Sequence, residues 1–265
     1  MRILFLGDIV GRPGREAIRS WLPAYRREHA LDFVIANAEN AAGGKGVTSP
    51  VVRELFDAGI QVLTGGNHSF HQRDSLLLYD EELGLLRPHN LPPGAPGRGF
   101  GVFATHAGPS LAVINLQGRA FMKPIDCPFQ AAEALVEQAH ERTPIVLIDF
   151  HAEATSEKLG MLASLDGQVT AVIGTHTHVP TADAQVTPAG TAYITDVGMC
   201  GPRDSILGIK KEIALEQLRG ALPVRHQIAR NEGVVQALRI EVEPSTGRAT
   251  EVAFLCIPPP VRTRR

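Results

Sequence analysis

Short apolar runs alternate along the chain with longer segments of helical period. The first run, residues 3–6, precedes a stretch in which Ala17, Ile18, Trp21, Leu22 and Tyr25 share one helical face, with Pro23 expected to end or kink the helix. The second, 33–36, leads through a glycine-rich loop to Ser49 and Pro50, read as the N-cap and first residue of a helix that Gly59 stops. Further strands are expected at 61–64, 102–104, 111–116, 145–148, 169–173 and 192–195, and a helix from Pro128 with Ala131, Ala132, Leu135, Val136 and Ala139 on one face. This is the pattern of βαβ units whose sheet is buried on both faces. The tail differs, since Leu238, Ile240 and Val242 alternate with Arg239, Glu241 and Glu243 before a turn and a returning strand at 251–257. Such strands can form an edge that pairs two subunits into a homo-oligomer, or one that the chain itself covers. With no internal repeat and no clean boundary, residues 1–265 are expected to form a single layered α/β domain, strands in the middle and helices outside.

Composition narrows the class. Of 265 residues, 44% are hydrophobic and 20% charged, which excludes disorder and leaves enough apolar surface for a self-supporting core. Lys and Arg number 26 against 28 Asp and Glu, a formal charge of −2, so polymeric nucleic acid is not an expected partner. Cys127, Cys200 and Cys256 lie far apart with no metal-binding spacing, which fits a reducing compartment. The apolar run at the start is cut short by Gly7 and Asp8, and none approaches the roughly 18 residues of a membrane span. A cytoplasmic protein without a membrane partner is expected.

The informative residues follow the apolar runs. Asp8 comes after the first, Glu39 and Asn40 after the second, Asn67 and His68 after the third, Asp149 and His151 after 145–148, and His176 and His178 after 169–173. In an open α/β sheet these positions meet at the carboxyl ends of the strands, where ligands bind. Each alone reads as a cap, a turn former or a structural histidine. Five strand ends in a row carrying Asp, Glu, Asn or His instead form a set that ligates hard-to-borderline divalent metals. If the GTHTH run at 174–178 is extended, His176 and His178 point to one side. Glu39 can bridge two cations, and Asn67 can add an oxygen without charge, an arrangement suited to two-metal phosphate chemistry. A dinucleotide fingerprint, a phosphate loop and a nucleophile elbow are absent, and Cys200 reads as a packed loop residue. Lys45 and Lys123 sit in loops from which a phosphate is reachable, although each also reads as a solvated charge.

In this order, Asp8, Glu39-Asn40, the GNH run at 66–68, His151 and the GTHTH run resemble the calcineurin-like metallophosphoesterase superfamily. Three departures, Val10 in place of a histidine, Glu39 in place of a bridging Asp, and Thr175 before the histidine pair, resemble the YmdB-like branch. So do the GRAFM run at 118–122, HAEATSEK at 151–158 and ITDVGMCGP at 194–202. The resemblance covers nearly the whole chain and implies a layered metallophosphoesterase-type fold with central β-sheets flanked by helices. It also implies a dimetal phosphodiesterase acting on small cyclic nucleotides, notably 2′,3′-cyclic ones, through attack by a metal-bound hydroxide. One metal would be held by Asp8, Glu39, His178 and Asn40, the last standing in for the histidine missing at Val10. The other would be held by Glu39, Asn67, His151 and His176. His68 would protonate the leaving alkoxide. Two metal ions per chain are implied, iron foremost, with manganese, magnesium and zinc as alternatives. A phosphomonoesterase with the same metals, or a non-catalytic nucleotide sensor with a degenerate site, stays open at this point.

Overall fold

A computed structural model describes residues 1–82, 84–105, 108–220 and 224–258, so that His106, which has no role in the sequence reading, falls outside it. The chain begins one sheet with β1 (Arg2–Leu6), β2 (Asp8–Ile9), β3 (Phe33–Asn37), β4 (Val62–Thr64) and β5 (Leu85–Leu86). These alternate with α1 (Gly11–Glu28), α2 (Ser49–Asp57) and α3 (Ser75–Glu81). It then builds a second sheet from β6 (Phe100–Phe103), β7 (Leu111–Gln117), β8 (Ile145–His151), β9 (Ala171–Thr175), β10 (Gln185–Val186) and β11 (Ala192–Ile194), with α4 (Pro128–His140) and α5 (Thr155–Leu165) between strands. Finally β12 (Met199–Pro202), α6 (Lys211–Gly220), β13 (Gly233–Val242) and β14 (Ala249–Ile257) follow, and these three strands complete the first sheet.

The first sheet runs β2-β12-β13-β1-β3-β4-β5, with β14 on the other edge of β13, and the second runs β10-β11-β9-β8-β7-β6. Strands β1, β3, β4 and β5 are parallel, as are β7, β8, β9 and β11. Their carboxyl ends therefore share one edge in each sheet.

Alternation along the strands decides the layering, because successive side chains face opposite ways. Ile3, Phe5, Phe33, Ile35 and Val62 meet Leu111, Val113, Ile145, Leu147 and Ile173 in a core between the sheets. Their neighbours Leu4, Leu6, Val34, Ala36 and Leu63 face outward onto α1 and α2, while Val146, Ile148, Phe150 and Val172 face α4 and α5. Each sheet is buried on both faces, by helices on one side and by the other sheet on the second. The result is the layered arrangement of central sheets flanked by helices.

Two local expectations are corrected. Helix α1 continues through Pro23 to Glu28, because Pro23 lies on its exposed face, where water can satisfy the carbonyl that loses its partner. The N-cap of α2 is Thr48, in an extended conformation, and Ser49 is already helical. No helix among the described residues is long and apolar enough to cross a membrane.

Candidate metal centre

On the inner face, apolar residues give way to polar ones as each strand nears its carboxyl end. Beyond Ile35, Val62, Val113, Leu147 and Ile173 stand Asn37, Thr64, Asn115, Asp149 and Thr175, all buried. Asp149 gathers them, accepting hydrogen bonds from Thr64 Oγ1 (2.5 Å), Thr175 Oγ1 (2.7 Å) and Asn37 Nδ2 (3.0 Å). It is thus a support beneath the site. Thr175 has a single hydroxyl proton, and having given it to Asp149 it accepts from His151 Nδ1 at 3.0 Å. The Nε2 of His151 therefore faces outward, 2.9 Å from Asn67 Oδ1, 3.0 Å from His176 Nδ1 and 3.2 Å from Glu39 Oε2.

The other two histidines are held in the same manner. His176 Nε2 lies 3.1 Å from Glu153 Oε2, which leaves Nδ1 aimed inward. His178 donates from Nδ1 to the Leu207 carbonyl (3.1 Å), leaving Nε2 beside Asn40 Nδ2 (3.1 Å) and Asp8 Oδ1 (3.7 Å). One nitrogen fixed by an oxygen partner and the other directed inward is the arrangement of metal-binding imidazoles. These residues do not form the expected extended segment. His176 and His178 adopt φ of 101° and 64° in a bent loop, a conformation that costs energy and clusters at functional sites.

Two buried carboxylates complete the set. Glu39 accepts from the His68 backbone N–H (2.9 Å) and from Asn40 Nδ2 (2.8 Å), and its Oε1 is 3.1 Å from His68 Nδ1. Asp8 accepts the His176 backbone N–H through Oδ2, while its buried Oδ1 has no hydrogen-bond partner among the described residues. Asn40 Oδ1 lies 2.9 Å from His68 Nδ1. The eight residues singled out in the sequence, Asp8, Glu39, Asn40, Asn67, His68, His151, His176 and His178, thus form one connected cluster, with Asn67 at its exposed rim. The inward atoms of Glu39, His151 and His176 lie within 4.8 Å of one another.

Burial and mutual charge displace the titration of several of these groups. Burial pushes Asp8 up to about 6, against the pull of His178 and His151. Burial would also raise Glu39, but His151 and His68 hold it well below the usual carboxylate range. His151, which burial alone would lower, is raised to about 9 by Glu39, Asp8 and Asp149. His176 is lowered to about 3 by burial and by His151. His151 and the carboxylates Glu39 and Asp8 thus stabilise opposite charges on one another, and a divalent cation held among them would supply positive charge to the same carboxylates. Together with the orphaned Asp8 oxygen, three inward imidazole nitrogens and two amide oxygens, the donors fit hard-to-borderline divalent cations.

Several supports stand outside the set of site residues drawn from the sequence, although they fall in runs quoted there. Lys158, on α5, and Asp196 form a buried ion pair at 2.9 Å, and Asp196 also accepts the N–H groups of Thr177 (3.0 Å) and Gly198 (2.8 Å). The pair pins the loop that carries His176 and His178. Glu153 is absent from the sequence-derived set although it stands two residues beyond His151. Gly66 is obligatory, since a Cβ there would collide with His151 Nε2 and Glu39 Oε2. Cys200 is buried and its thiol is pushed up to about 12, which makes it inert.

The cluster opens into a cleft of about 810 Å³ whose walls include Val10, Lys45, Glu153 and Arg225. Lys123 is not among its described lining residues.

A family model described as "YmdB-like protein" matches residues 4–255. The chain is 44% identical over 257 residues to a "2′,3′-cyclic-nucleotide 2′-phosphodiesterase" of Bacillus subtilis, with 97% of each chain covered. It superposes with a TM-score of 0.92 on the crystal structure of a hypothetical protein from Thermus thermophilus, at 40% identity, covering 98% of this chain and 100% of that one. A structure of a novel phosphatase from Mycoplasma pneumoniae matches with a TM-score of 0.91 at 33% identity, covering 97% and 93%.

Proposed function

Because the chain belongs to the YmdB-like protein family, we propose that it is a metal-dependent phosphodiesterase hydrolysing 2′,3′-cyclic nucleotides to nucleoside 3′-monophosphates. The observation that carries this reading is the convergence of Asp8, Glu39, Asn67, His151, His176 and His178 at one strand edge, with the Asp8 Oδ1 buried and unpartnered. In this reading Glu39 would serve two cations. Asp8, Asn40 and His178 would share one with it, and Asn67, His151 and His176 the other. Iron or manganese suits this mixture of imidazole, carboxylate and amide oxygen, with magnesium and zinc as the competing occupants. When bound, two such ions supply an activated water and neutralise charge on the phosphoryl oxygens.

The chain's own residues supply the rest. His68 stands at the mouth of the cluster, and its contacts to Glu39 and Asn40 use Nδ1 alone. Its Nε2 is therefore the atom that gives a proton to the departing ribose O2′, a poor leaving group unless protonated. Glu39 and Asn40 fix the ring while that transfer takes place. Buried Asp149 and Thr175 keep the Nε2 of His151 directed at the substrate side. The three free cysteines fit action in the cytoplasm.

Elemental analysis and reloading test the assignment. Protein stripped by a chelator and reloaded with iron, manganese, zinc or magnesium in turn is expected to bind close to two ions and to open 2′,3′-cyclic nucleotides. Glu39→Gln is expected to lose both ions and at least about a hundredfold in kcat. Metal-loaded protein that leaves cyclic nucleotides and model diesters intact would overturn the reading.

A further inference from the structure

Residues 224–230 form a wall beside the metal centre. Ile228 pairs with Ile209, the Ala229 N–H donates to the Gly208 carbonyl (2.9 Å), and Lys210 reaches Gln227 Oε1 through Nζ (3.0 Å). The wall is seated closely, for a Cβ on Gly44 would lie 2.5 Å from Ile228 Cδ1. One side of it, through Arg225, His226 and Ile228, faces the cleft that holds Glu39, His68, His176 and His178. The same three residues also border a second cleft of about 880 Å³, which Arg12, Lys210 and Arg230 line as well. Among the described lining residues of this second cleft Glu16 is the one carboxylate, and Arg12 holds it at 2.6 Å. Nearby, Lys211 pairs with Asp204, and among the described residues Arg225 and Arg230 enter neither this pair nor the one between Arg12 and Glu16. A chain whose formal charge is −2 thus gathers four cations, Arg12, Lys210, Arg225 and Arg230, on one flank of its metal centre.

Resting on the phosphodiesterase reading, we propose that the second cleft binds a phosphate on the 5′ side of the cyclic nucleotide. The preferred substrates are then 2′,3′-cyclic nucleotides that carry a 5′ phosphate group. A terminal 5′-phosphate and the internucleotide phosphate of a short RNA ending in a 2′,3′-cyclic phosphate share this chemistry. The ribose geometry would carry such a phosphate away from the metal cluster, because C5′ and the 2′,3′-phosphate lie at opposite ends of the sugar. With the cyclic phosphate at the metal cluster, a 5′ substituent directed past the wall would enter the second cleft. Guanidinium groups match phosphate oxygens in a forked, two-point geometry, and Arg225, which borders both clefts, stands where the substituent crosses. Each cleft is of the size that encloses one small ligand. The second cleft presents four described cations, Arg12, Lys210, Arg225 and Arg230, of which Arg12 is engaged with Glu16, a number that suits one or two phosphates.

The test compares kcat/KM for a 2′,3′-cyclic mononucleotide, its 5′-phosphorylated form, and a dinucleotide ending in a 2′,3′-cyclic phosphate. At low salt the two phosphate-bearing substrates are expected to exceed the plain one by about tenfold or more, mainly through KM. That ratio is expected to shrink as ionic strength rises and to fall toward one in Arg225→Ala and Arg230→Ala. Equal advantages for the two would assign the site to any 5′ phosphate, and a larger one for the dinucleotide would assign it to RNA ends. A ratio near one in the unaltered enzyme, or one that neither substitution changes, overturns the assignment. If none of the three is hydrolysed, the phosphodiesterase reading fails. The second cleft is then judged by equilibrium binding of a nucleoside 3′-monophosphate against the 3′,5′-bisphosphate, where the same advantage is expected and a ratio near one overturns it.

Discussion

His68 differs from its neighbours in how it is held. The imidazoles of His151, His176 and His178 each spend one nitrogen on an oxygen partner and turn the other inward, whereas His68 uses a single nitrogen to touch Glu39 and Asn40 and stands half-exposed at the cleft. A proton donor needs that access to the substrate, and a metal ligand does not. His68→Ala is therefore expected to lower kcat on 2′,3′-cyclic nucleotides by about 10²–10⁴-fold while metal content is retained. With a 4-nitrophenyl diester, whose leaving group departs without a proton, the loss should be much smaller. Steady-state rates on both substrates, beside elemental analysis, check it, and an equal loss on both would remove His68 from that role. Asn40 contacts His68, Glu39 and His178 at once, so it orients its neighbours whether or not its amide oxygen reaches a cation.

Elements explain what the sequence disclosed and what it hid. Strands β1, β3, β4, β8 and β9 are buried on both faces over most of their length, so each reads as an apolar run, and the polar residues at and just beyond its carboxyl end mark the functional edge. That regularity made Asp8, Glu39, Asn67, His151 and His176 conspicuous. Three helices went unread for separate physical reasons. On α3, Leu76 and Leu77 face solvent and blur the period. On α5, Lys158 turns inward, so a charged residue occupies a core position. On α6, Ala214 is the one buried residue. The bend at His176 was equally hidden, because nothing in a Thr-His-Thr-His run announces a positive φ. The Lys158–Asp196 pair is where such concealed structure has the largest consequence. Lys158→Met should leave Asp196 as an uncompensated buried charge and cost about 3–5 kcal/mol in chemical denaturation. Adding Asp196→Asn should recover part of that loss, since the side-chain oxygen can still accept from Thr177 or Gly198.

At the scale of the whole molecule, the site is built by both sheets. Asp8, Glu39 and Asn67 come from the first, and His151, His176 and His178 from the second, above a shared apolar core. A cation bound there would join the two layers at the edge where their apolar contacts end. Metal held at about 100 times its Kd contributes about 2.7 kcal/mol to the folded state, so a chelator should lower the Tm by about 5–10 °C in calorimetry. No shift on chelation, with the metal shown to have left, would mean that the sheets do not depend on it.

The order in which the chain lays down its sheets also governs how it can be made. Strand β1 pairs on one side with β3, which follows within about thirty residues, and on the other with β13, so that Arg2 stands opposite Glu241. While a ribosome is still elongating, that second side has no partner, and the second sheet in between is complete before the first is. Contacts this distant in sequence slow folding, and an open strand edge invites association with other chains. Residues that touch no substrate, those of the last hairpin, therefore set the moment at which a nascent molecule becomes safe from aggregation and able to work.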